Sequence, residues 1–123
     1  MKFNKREKLK SRKRIEQVFQ EGKSLTVFPF KVWWLSRPAG EVAVQAGFGA
    51  GSRHFKRAVD RNRIKRLSRE AYRQQKQDLI RRLEDMGLSM SVFFIYTGKD
   101  LPDYATVTQK IGVVLQKLTK EIS

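Results

Sequence analysis

Apolar residues near the start of the chain recur at the spacing of a short amphipathic helix. Ile15, Val18 and Phe19 fall on one side of such a helix, and the residues between them are mostly polar or charged. Ser11 precedes this stretch and is a typical N-cap residue, while Gly22 follows it as a typical stop. The pattern therefore predicts a first helix between Ser11 and Gly22.

Two further regions have helical character. The longer one covers residues 56–86, which contain no proline or glycine, and Gly87 follows as a natural stop. Its length, together with a polar glutamine pair in its middle, predicts either two helices or one bent helix. Downstream, Asp103 is placed to cap a final helix that runs to about Glu121.

Strand-forming residues dominate the region between the first two helical patterns. Residues 25–37 are rich in β-branched and aromatic side chains, and Pro29 predicts an edge or a bend within them. A proline–glycine turn and a second strand over residues 41–51 follow, so residues 25–51 are predicted to form a β-hairpin. Residues 91–96 form a compact apolar run, which predicts a buried strand.

The predicted order of elements is one helix, two strands, a third strand or bulge, two helices, one strand and one helix. This mixture predicts a single α+β domain over residues 1–123, without an internal repeat or a linker. The first ten residues are strongly basic, and we expect this N-terminal segment to be mobile until a partner orders it.

Net charge narrows the choice of partner more than any other feature of composition. The chain has 27 Lys and Arg against 12 Asp and Glu, a formal charge of +15. So many positive charges repel one another within the folded protein. A polyanion relieves this repulsion and releases its own counterions on binding. Nucleic acid is therefore the leading class of partner, and an anionic membrane surface is the competing one. The polar N-terminus argues against a signal peptide, and no apolar run is long enough to span a membrane.

Residues 56–73 combine a narrow apolar stripe with a wide basic face. On a helical wheel, Ile64, Leu67 and Ala71 fall together and are predicted to face the core. Arginine dominates the other side, and its planar fork suits phosphate oxygens and exposed bases. An ordinary solvated face is the alternative, although such faces usually mix both signs of charge. The residues on or beside this basic face are Arg61, Asn62, Arg63, Lys65, Arg66, Arg69 and Arg73.

No arrangement of residues in the sequence indicates a protein active site. His54 is the only histidine and cysteine is absent, which excludes a histidine pair, a histidine-based zinc cluster and a thiol nucleophile. We therefore expect no catalytic and no metal-ligating residue. Gly47, Gly49 and Gly51 alternate along the predicted second strand, which indicates that another group approaches the backbone closely.

A short motif in the basic helix resembles the Arg-Asn-Arg signature of the bacterial ribonuclease P protein family. The motif reads Arg61-Asn62-Arg63-Ile64-Lys65-Arg66, is preceded by Lys56-Arg57-Ala58-Val59 and is followed by Arg69. The first helix and its flanks are also similar to the family, at Lys8, Leu9, Ile15, Val18, Phe19 and Gly22. With the apolar pattern of the final helix, the resemblance covers essentially the whole chain.

The resemblance implies a fold and two binding surfaces. The family fold is a single-domain α/β sandwich, similar to ribosomal protein S5, with a left-handed βαβ crossover. The signature helix would bind the catalytic RNA subunit through Arg57, Arg61, Asn62, Arg63, Lys65, Arg66, Arg69 and Arg73. A cleft between the first helix and the sheet would bind the single-stranded 5′ leader of precursor tRNA through Ile15, Phe19, Phe30, Trp33, Ser52 and Arg53.

Ordinary core packing is the alternative role for Phe19 and Phe30. Trp33 and Trp34 are adjacent in a predicted strand, so we expect one in the core and the other more exposed on the opposite face. Ile15 stands where the family often has an aromatic residue, so its contact with a base would be apolar rather than stacking.

By the same resemblance, the chain assists an endoribonuclease, ribonuclease P, whose RNA subunit removes the leader and holds the catalytic Mg²⁺ ions. We expect no cofactor bound by the protein alone, no small-molecule substrate, no membrane partner and a cytoplasmic location. Two alternatives stay open. A stand-alone nucleic-acid-binding module would bind without ribonucleoprotein activity, and a protein nuclease would cleave precursor tRNA without added RNA.

Overall fold

The computed structural model describes residues 7–40 and 42–122, and these residues form four helices and four strands. In chain order the elements are α1 (Arg12–Glu21), β1 (Lys23–Val27), β2 (Phe30–Pro38), β3 (Val44–Ala50), α2 (Ala58–Gln75), α3 (Gln77–Met86), β4 (Leu88–Tyr96) and α4 (Tyr104–Glu121). This order confirms the predicted succession of elements and the α+β class. Among the helices of these described residues, none has the length and apolar character of a membrane-spanning segment.

Capping side chains and a glycine delimit the helices where the sequence predicted. Ser11 Oγ accepts a hydrogen bond from the Arg14 amide (3.3 Å), and Asp103 Oδ1 accepts one from the Thr106 amide (2.7 Å). The hydrogen bond from Thr106 also holds the pKa of the Asp103 carboxyl below its usual range. Gly87 follows α3 with a φ of 66°, a left-handed conformation that favours glycine.

The long helical region is divided at one residue, which confirms the two-helix alternative for residues 56–86. α2 ends at Gln75 and α3 begins at Gln77. Lys76 lies between them with nearly helical backbone angles (φ −75°, ψ −14°), so α3 follows α2 without a loop. The Lys76 side chain points inward and is only 1% exposed.

The four strands form one sheet in the order β1–β2–β4–β3. β1 and β2 are antiparallel and joined by a turn at Pro29, which confirms the predicted bend there. β2 pairs antiparallel with one side of β4, and β3 pairs parallel with its other side. The predicted hairpin over residues 25–51 is therefore wrong, because β4 lies between β2 and β3. β4 is mostly apolar, and a central place in the sheet removes more of it from water than an edge would.

The second strand of that predicted hairpin is shorter than expected. β3 begins at Val44 rather than residue 41, and Glu41 lies outside the described residues. Because β3 and β4 are parallel, the chain between them, with α2 and α3, is a βαβ crossover. The left-handed sense that the family resemblance implies for this crossover stays a prediction.

The sheet separates α1 from the other three helices. One face of the sheet carries the core, where alternate residues of β2 and β4 such as Val32 and Phe94 pack against α2, α3 and α4. α1 packs against the opposite face, over β2 and β4. Trp34 is buried in the core and Trp33 is half-buried on the α1 face, which confirms their predicted opposite orientations.

Residues 7–10 lie beside β3 at the edge of the sheet. The Leu9 amide donates a hydrogen bond to the Ala46 carbonyl (3.0 Å), and the Leu9 side chain is buried. Glu7 reaches the helical layer, where its carboxylate lies 2.5 Å from the Lys76 ammonium. Residues 7–10 thus contact the sheet where the sequence predicted a mobile segment, and the rest of that predicted segment, residues 1–6, lies outside the described residues.

Candidate nucleic-acid interfaces

The basic side of α2 is held outward by a stripe of buried residues. Ile64 and Ala71 are fully buried, as the helical wheel predicted, and Leu67 is half-buried. Ser68 and Tyr72 extend the same stripe, although the sequence analysis did not include them. Ser68 can lie in the core because its hydroxyl donates a hydrogen bond to the Ile64 carbonyl (2.8 Å) within the helix.

The N-terminal half of α2 borders a depression of about 840 Å³. Its lining residues are Arg57, Val59, Asp60, Asn62, Arg63, Lys65, Arg66 and Arg69. We call the five residues Asn62, Arg63, Lys65, Arg66 and Arg69 the α2 basic face. Asp60 is the one acidic residue in this lining, and its carboxylate lies 3.1 Å from Arg57 Nε.

The four cations of the α2 basic face are not neutralised by the described part of the protein. Within residues 7–40 and 42–122, the structure shows no ion pair for Arg63, Lys65, Arg66 or Arg69. Four uncompensated charges around one depression create a positive potential that attracts a polyanion. Asn62 adds a neutral amide that can both donate and accept hydrogen bonds.

The other three predicted RNA-binding residues have partners in the protein. Arg61 Nη1 donates to the carbonyls of Phe55 and Lys56, both at 2.8 Å, and so holds the chain that leads into α2. Arg73 Nε donates to Glu70 (3.1 Å), and this contact holds the pKa of the Glu70 carboxyl below its usual range.

Arg57 is the third of these residues, and the hydrogen bond from its guanidinium to Asp60 raises the pKa of Arg57. The sequence ranked all eight residues alike. The structure shows side-chain hydrogen bonds within the protein for Arg57, Arg61 and Arg73, and within its described part it shows none for the five residues of the α2 basic face.

A second surface lies on the opposite side of the sheet, between α1 and the strands. Phe19 of α1 packs against Trp33 of β2 and Phe93 of β4, with ring centroids 5.0 Å and 5.4 Å apart. Lys31 Nζ lies 4.9 Å from the centroid of the Trp33 ring, a cation–π contact. Ile15 is half-buried one turn before Phe19 on the same side of α1. We call Ile15, Phe19, Trp33 and Phe93 the aromatic cleft.

Glycines of β3 make room for the ring of Phe93 in the aromatic cleft. A Cβ atom at Gly47 would lie 2.6 Å from Phe93 Cδ2, and one at Gly49 would lie 3.2 Å from Phe93 Cε1. This confirms the close approach to the backbone that the alternating glycines predicted at these two positions. At Gly51 the nearest atom would be 4.0 Å away, so the prediction does not hold there.

The predicted leader-binding residues are only partly brought together. Ile15, Phe19 and Trp33 belong to the aromatic cleft, whereas Ser52 and Arg53 are exposed in the turn that follows β3. Phe30 corrects the prediction, because it is 1% exposed in the core and its ring packs against Tyr96 (5.5 Å). The assignment failed because an aromatic residue in a strand does not reveal its face until the partner layers are known.

Phe93 is the cleft residue that sequence reasoning missed. The run Val92–Ile95 indicated only a buried strand. The signal was present in its alternation, because Phe93 and Phe94 must point to opposite faces of the sheet. Phe94 packs on Tyr72 in the core, so Phe93 faces α1.

The remaining titratable residues do not form a recognisable catalytic group in the part of the chain that the structure describes. His54 is exposed. The Tyr96 hydroxyl donates a hydrogen bond to the backbone carbonyl of Asp100 (2.7 Å). No cluster of three His, Asp or Glu side chains among the described residues is placed to hold a metal ion.

Comparisons with known proteins agree along nearly the entire chain. Residues 3–119 match the family model of ribonuclease P. A ribonuclease P protein component of Porphyromonas gingivalis strain W83 is 37% identical over 121 residues, covering 98% of this chain and 88% of that protein. The corresponding protein of Chlorobium phaeobacteroides is 31% identical over 128 residues, covering 94% and 87%.

Solved structures give the same fold. The ribonuclease P protein of Thermotoga maritima superimposes with a TM-score of 0.69 at 28% identity, over 90% of this chain and 96% of that one. A ribonuclease P protein of Staphylococcus aureus has a TM-score of 0.70 over 90% and 94% of the two chains. At 18% identity, the second likeness shows the fold alone.

Proposed function

Because this chain belongs to the bacterial ribonuclease P protein family, as a component of a ribonucleoprotein endoribonuclease of tRNA 5′ processing, we propose that it joins two RNAs through two separate surfaces. The ribonuclease P RNA occupies the α2 basic face. The single-stranded 5′ leader of precursor tRNA occupies the aromatic cleft. The observation that carries this proposal is the placement of the two surfaces on opposite sides of the sheet. The aromatic cleft lies directly on the strands, whereas the core separates the α2 basic face from them.

Charge and shape support the first assignment. The four cations of the α2 basic face line one depression and have no ion pair within the described residues. A folded RNA brings phosphates close together and can fill such a depression. Each cation that meets a phosphate releases condensed counterions from the RNA, which favours binding at low salt.

Aromatic chemistry supports the second assignment. Phe19 and Trp33 are half-buried, so each ring is fixed by packing on one side and reachable on another. Unpaired bases stack on such rings with little sequence preference, and a nearby cation such as Lys31 holds the backbone. Such stacking would accept leaders of different sequence. Ser52 and Arg53, exposed beyond the end of β3, would meet the same strand further along.

In this assignment the chain contributes binding rather than bond cleavage. The RNA subunit holds Mg²⁺ and supplies the metal-assisted hydrolysis of the phosphodiester. The protein's cations reduce the repulsion between the RNA subunit and the precursor, and the aromatic cleft fixes the leader next to the cleavage site. The products are a tRNA with a 5′ phosphate and a short leader.

Reconstitution with a bacterial ribonuclease P RNA tests this proposal. At low Mg²⁺, where the RNA alone cleaves slowly, we expect added protein to restore removal of the leader from precursor tRNA, measured by gel electrophoresis of end-labelled substrate. The protein without RNA should leave the substrate intact. Cleavage by the protein alone would support a protein nuclease, and binding without stimulation of several such RNAs would support a stand-alone binding module; either result contradicts the proposal.

Replacing Phe19 with leucine should reduce the preference for substrates that carry a leader. Leucine keeps an apolar side chain against Trp33 but removes the stacking face, and we expect at least about a fivefold loss of affinity for leader-bearing precursor tRNA. Affinity for mature tRNA in the assembled complex should not change. Phe28→Leu is the matched control, because Phe28 is 70% exposed in the β1–β2 turn, outside the aromatic cleft. Equal losses for both variants would contradict the assignment.

A further inference from the structure

A third basic surface lies where the N-terminal segment meets α1. It is a cavity of about 460 Å³ on the α1 side of the sheet. We call it the N-terminal pocket, and it is lined by Lys8, Leu9, Lys10, Ser11, Arg14, Arg37, Val42 and Gln45. Four of these eight residues are cationic, and none of the described lining residues is acidic. The pocket is separate from the α2 basic face, which lies on the other side of the sheet.

Both arginines of the pocket are held by neutral oxygen atoms. Arg37 Nη1 donates to Ser91 Oγ (2.5 Å), and Arg14 Nη1 donates to Gln45 Oε1 (3.3 Å). These contacts fix the direction of each guanidinium, and no carboxylate among residues 7–40 and 42–122 forms an ion pair with either one. Partial burial and, to a smaller degree, the charge of Arg14 hold the pKa of Arg37 below its usual range. An anion bound between Arg14 and Arg37 would offset the repulsion between their two positive charges.

The first turn of α1 carries positive side chains, which are unfavourable at the N-terminal end of an isolated helix. It begins Arg12-Lys13-Arg14 and contains no acidic residue. The N-terminal end of a helix is positive, so cations there are unfavourable and anions are favourable. A bound anion at this position would meet both the backbone amides of the turn that Ser11 does not cap and the cationic side chains.

We infer that the N-terminal pocket binds one phosphate group of an RNA backbone, held by Arg14 and Arg37 and assisted by Lys8 and Lys10. Guanidinium groups bind phosphate oxygens in pairs, and arginines already oriented by Ser91 and Gln45 lose little freedom on binding. The assignment of the phosphate to RNA rests on the proposed function.

The location of the pocket indicates which RNA supplies the phosphate. Arg14 precedes Phe19 by five residues on α1, or about 7.5 Å along the helix axis. A strand whose base stacks on Phe19 can therefore place a neighbouring phosphate in the pocket. The other source is the ribonuclease P RNA, and the experiment below separates the two.

The first arm uses the full chain and inorganic phosphate, without RNA. Phosphate at constant ionic strength should raise the Tm of the parent protein and shift the backbone amide NMR signals of residues 11–14 and 45. In an Arg14→Gln, Arg37→Gln variant, we expect phosphate affinity to fall by roughly tenfold or more, since two charge-assisted hydrogen-bond donors are lost. The matched control, Lys117→Gln with Lys120→Gln on exposed positions of α4, removes the same charge and should respond as the parent does.

The outcome of this arm is decisive in either direction. We call the Arg14→Gln, Arg37→Gln protein the pocket variant. A phosphate response that is absent from the parent, or equal in the parent and the pocket variant, overturns the inference. Should the arginine variant fail to fold, Lys8→Gln with Lys10→Gln replaces it, because these side chains are not anchored by Ser91 or Gln45. A phosphate response that is weaker in the Lys8→Gln, Lys10→Gln variant than in the parent and the α4 control supports the pocket. An unchanged response in that variant overturns the inference.

The second arm uses the complex with ribonuclease P RNA. If the leader supplies the phosphate, the pocket variant should lose affinity for leader-bearing precursor tRNA and keep its affinity for the RNA subunit. Loss of affinity for the RNA subunit would assign the phosphate to that RNA. Unchanged affinity for both overturns the RNA assignment. Failure of the parent protein to stimulate cleavage would instead contradict the proposed function, while the phosphate result of the first arm would stand by itself.

Discussion

Replacing Arg66 and Arg69 together with alanine should weaken binding of the ribonuclease P RNA by on the order of a hundredfold at low salt. Each guanidinium has no ion pair within the described residues, so its N–H groups are available to donate hydrogen bonds to phosphates of the RNA. A charge-assisted hydrogen bond contributes about 1.5 kcal/mol or more, or roughly tenfold per side chain. The logarithmic salt dependence of the binding constant should also fall by about two units, since two phosphate contacts are lost.

Filter binding at several salt concentrations measures both quantities. Lys117→Ala with Lys120→Ala removes the same charge from exposed positions of α4 and serves as the control. Both variants should unfold at about the same urea concentration as the parent, because all four side chains lie outside the core. If the control loses as much affinity as the α2 variant, net charge rather than the α2 basic face drives binding, and the assignment is wrong.

Replacing Lys76 with alanine should destabilise the fold by about 3–5 kcal/mol, the usual effect of breaking a buried ion pair. The Lys76 side chain is 1% exposed and the Glu7 side chain is 13% exposed, with 2.5 Å between the charged atoms. Without Lys76 the Glu7 carboxylate has lost the cation that offsets its removal from water, and the end of α2 contains a cavity. Urea unfolding followed by circular dichroism gives the change in the free energy of unfolding.

Two further variants separate charge from packing in this ion pair. Glu7→Gln with Lys76→Met removes both charges and keeps most of the volume, so it should recover much of the lost stability. Arg81→Ala removes an exposed ion pair with Asp78 at 3.8 Å, and its effect should be small. If Lys76→Ala unfolds at the same urea concentration as Arg81→Ala, the buried pair does not stabilise the protein.

Local signals predicted the ends and the order of the helices. Ser11 and Asp103 cap the helices that they precede, and Gly87 ends α3 in a left-handed conformation. These features were readable because a cap or a stop depends on residues within one helical turn of each other. The basic surface on α2 was readable for the same reason, since the faces of one helix follow from its periodicity alone.

Pairing between strands could not be read in this way. The strand over residues 41–51 follows β2 directly, and short connections usually join neighbouring strands, so a hairpin was the natural expectation. The structure instead inserts β4, which arrives from residues 88–96, between β2 and β3. The choice depends on how much apolar surface the whole sheet buries, and no single segment contains that information.

The sequence by itself determined the capped starts of α1 and α4, the end of α3, the polyanionic class of partner and the outward direction of the arginines on α2. Each of these follows from neighbouring residues or from total charge. Only the tertiary structure decided which aromatic rings face α1. It moved Phe30 into the core, added Phe93 to the cleft and brought Arg14 beside Arg37. The physical reason is that a strand presents alternate residues to two faces, and the layers that cover those faces come from distant parts of the chain.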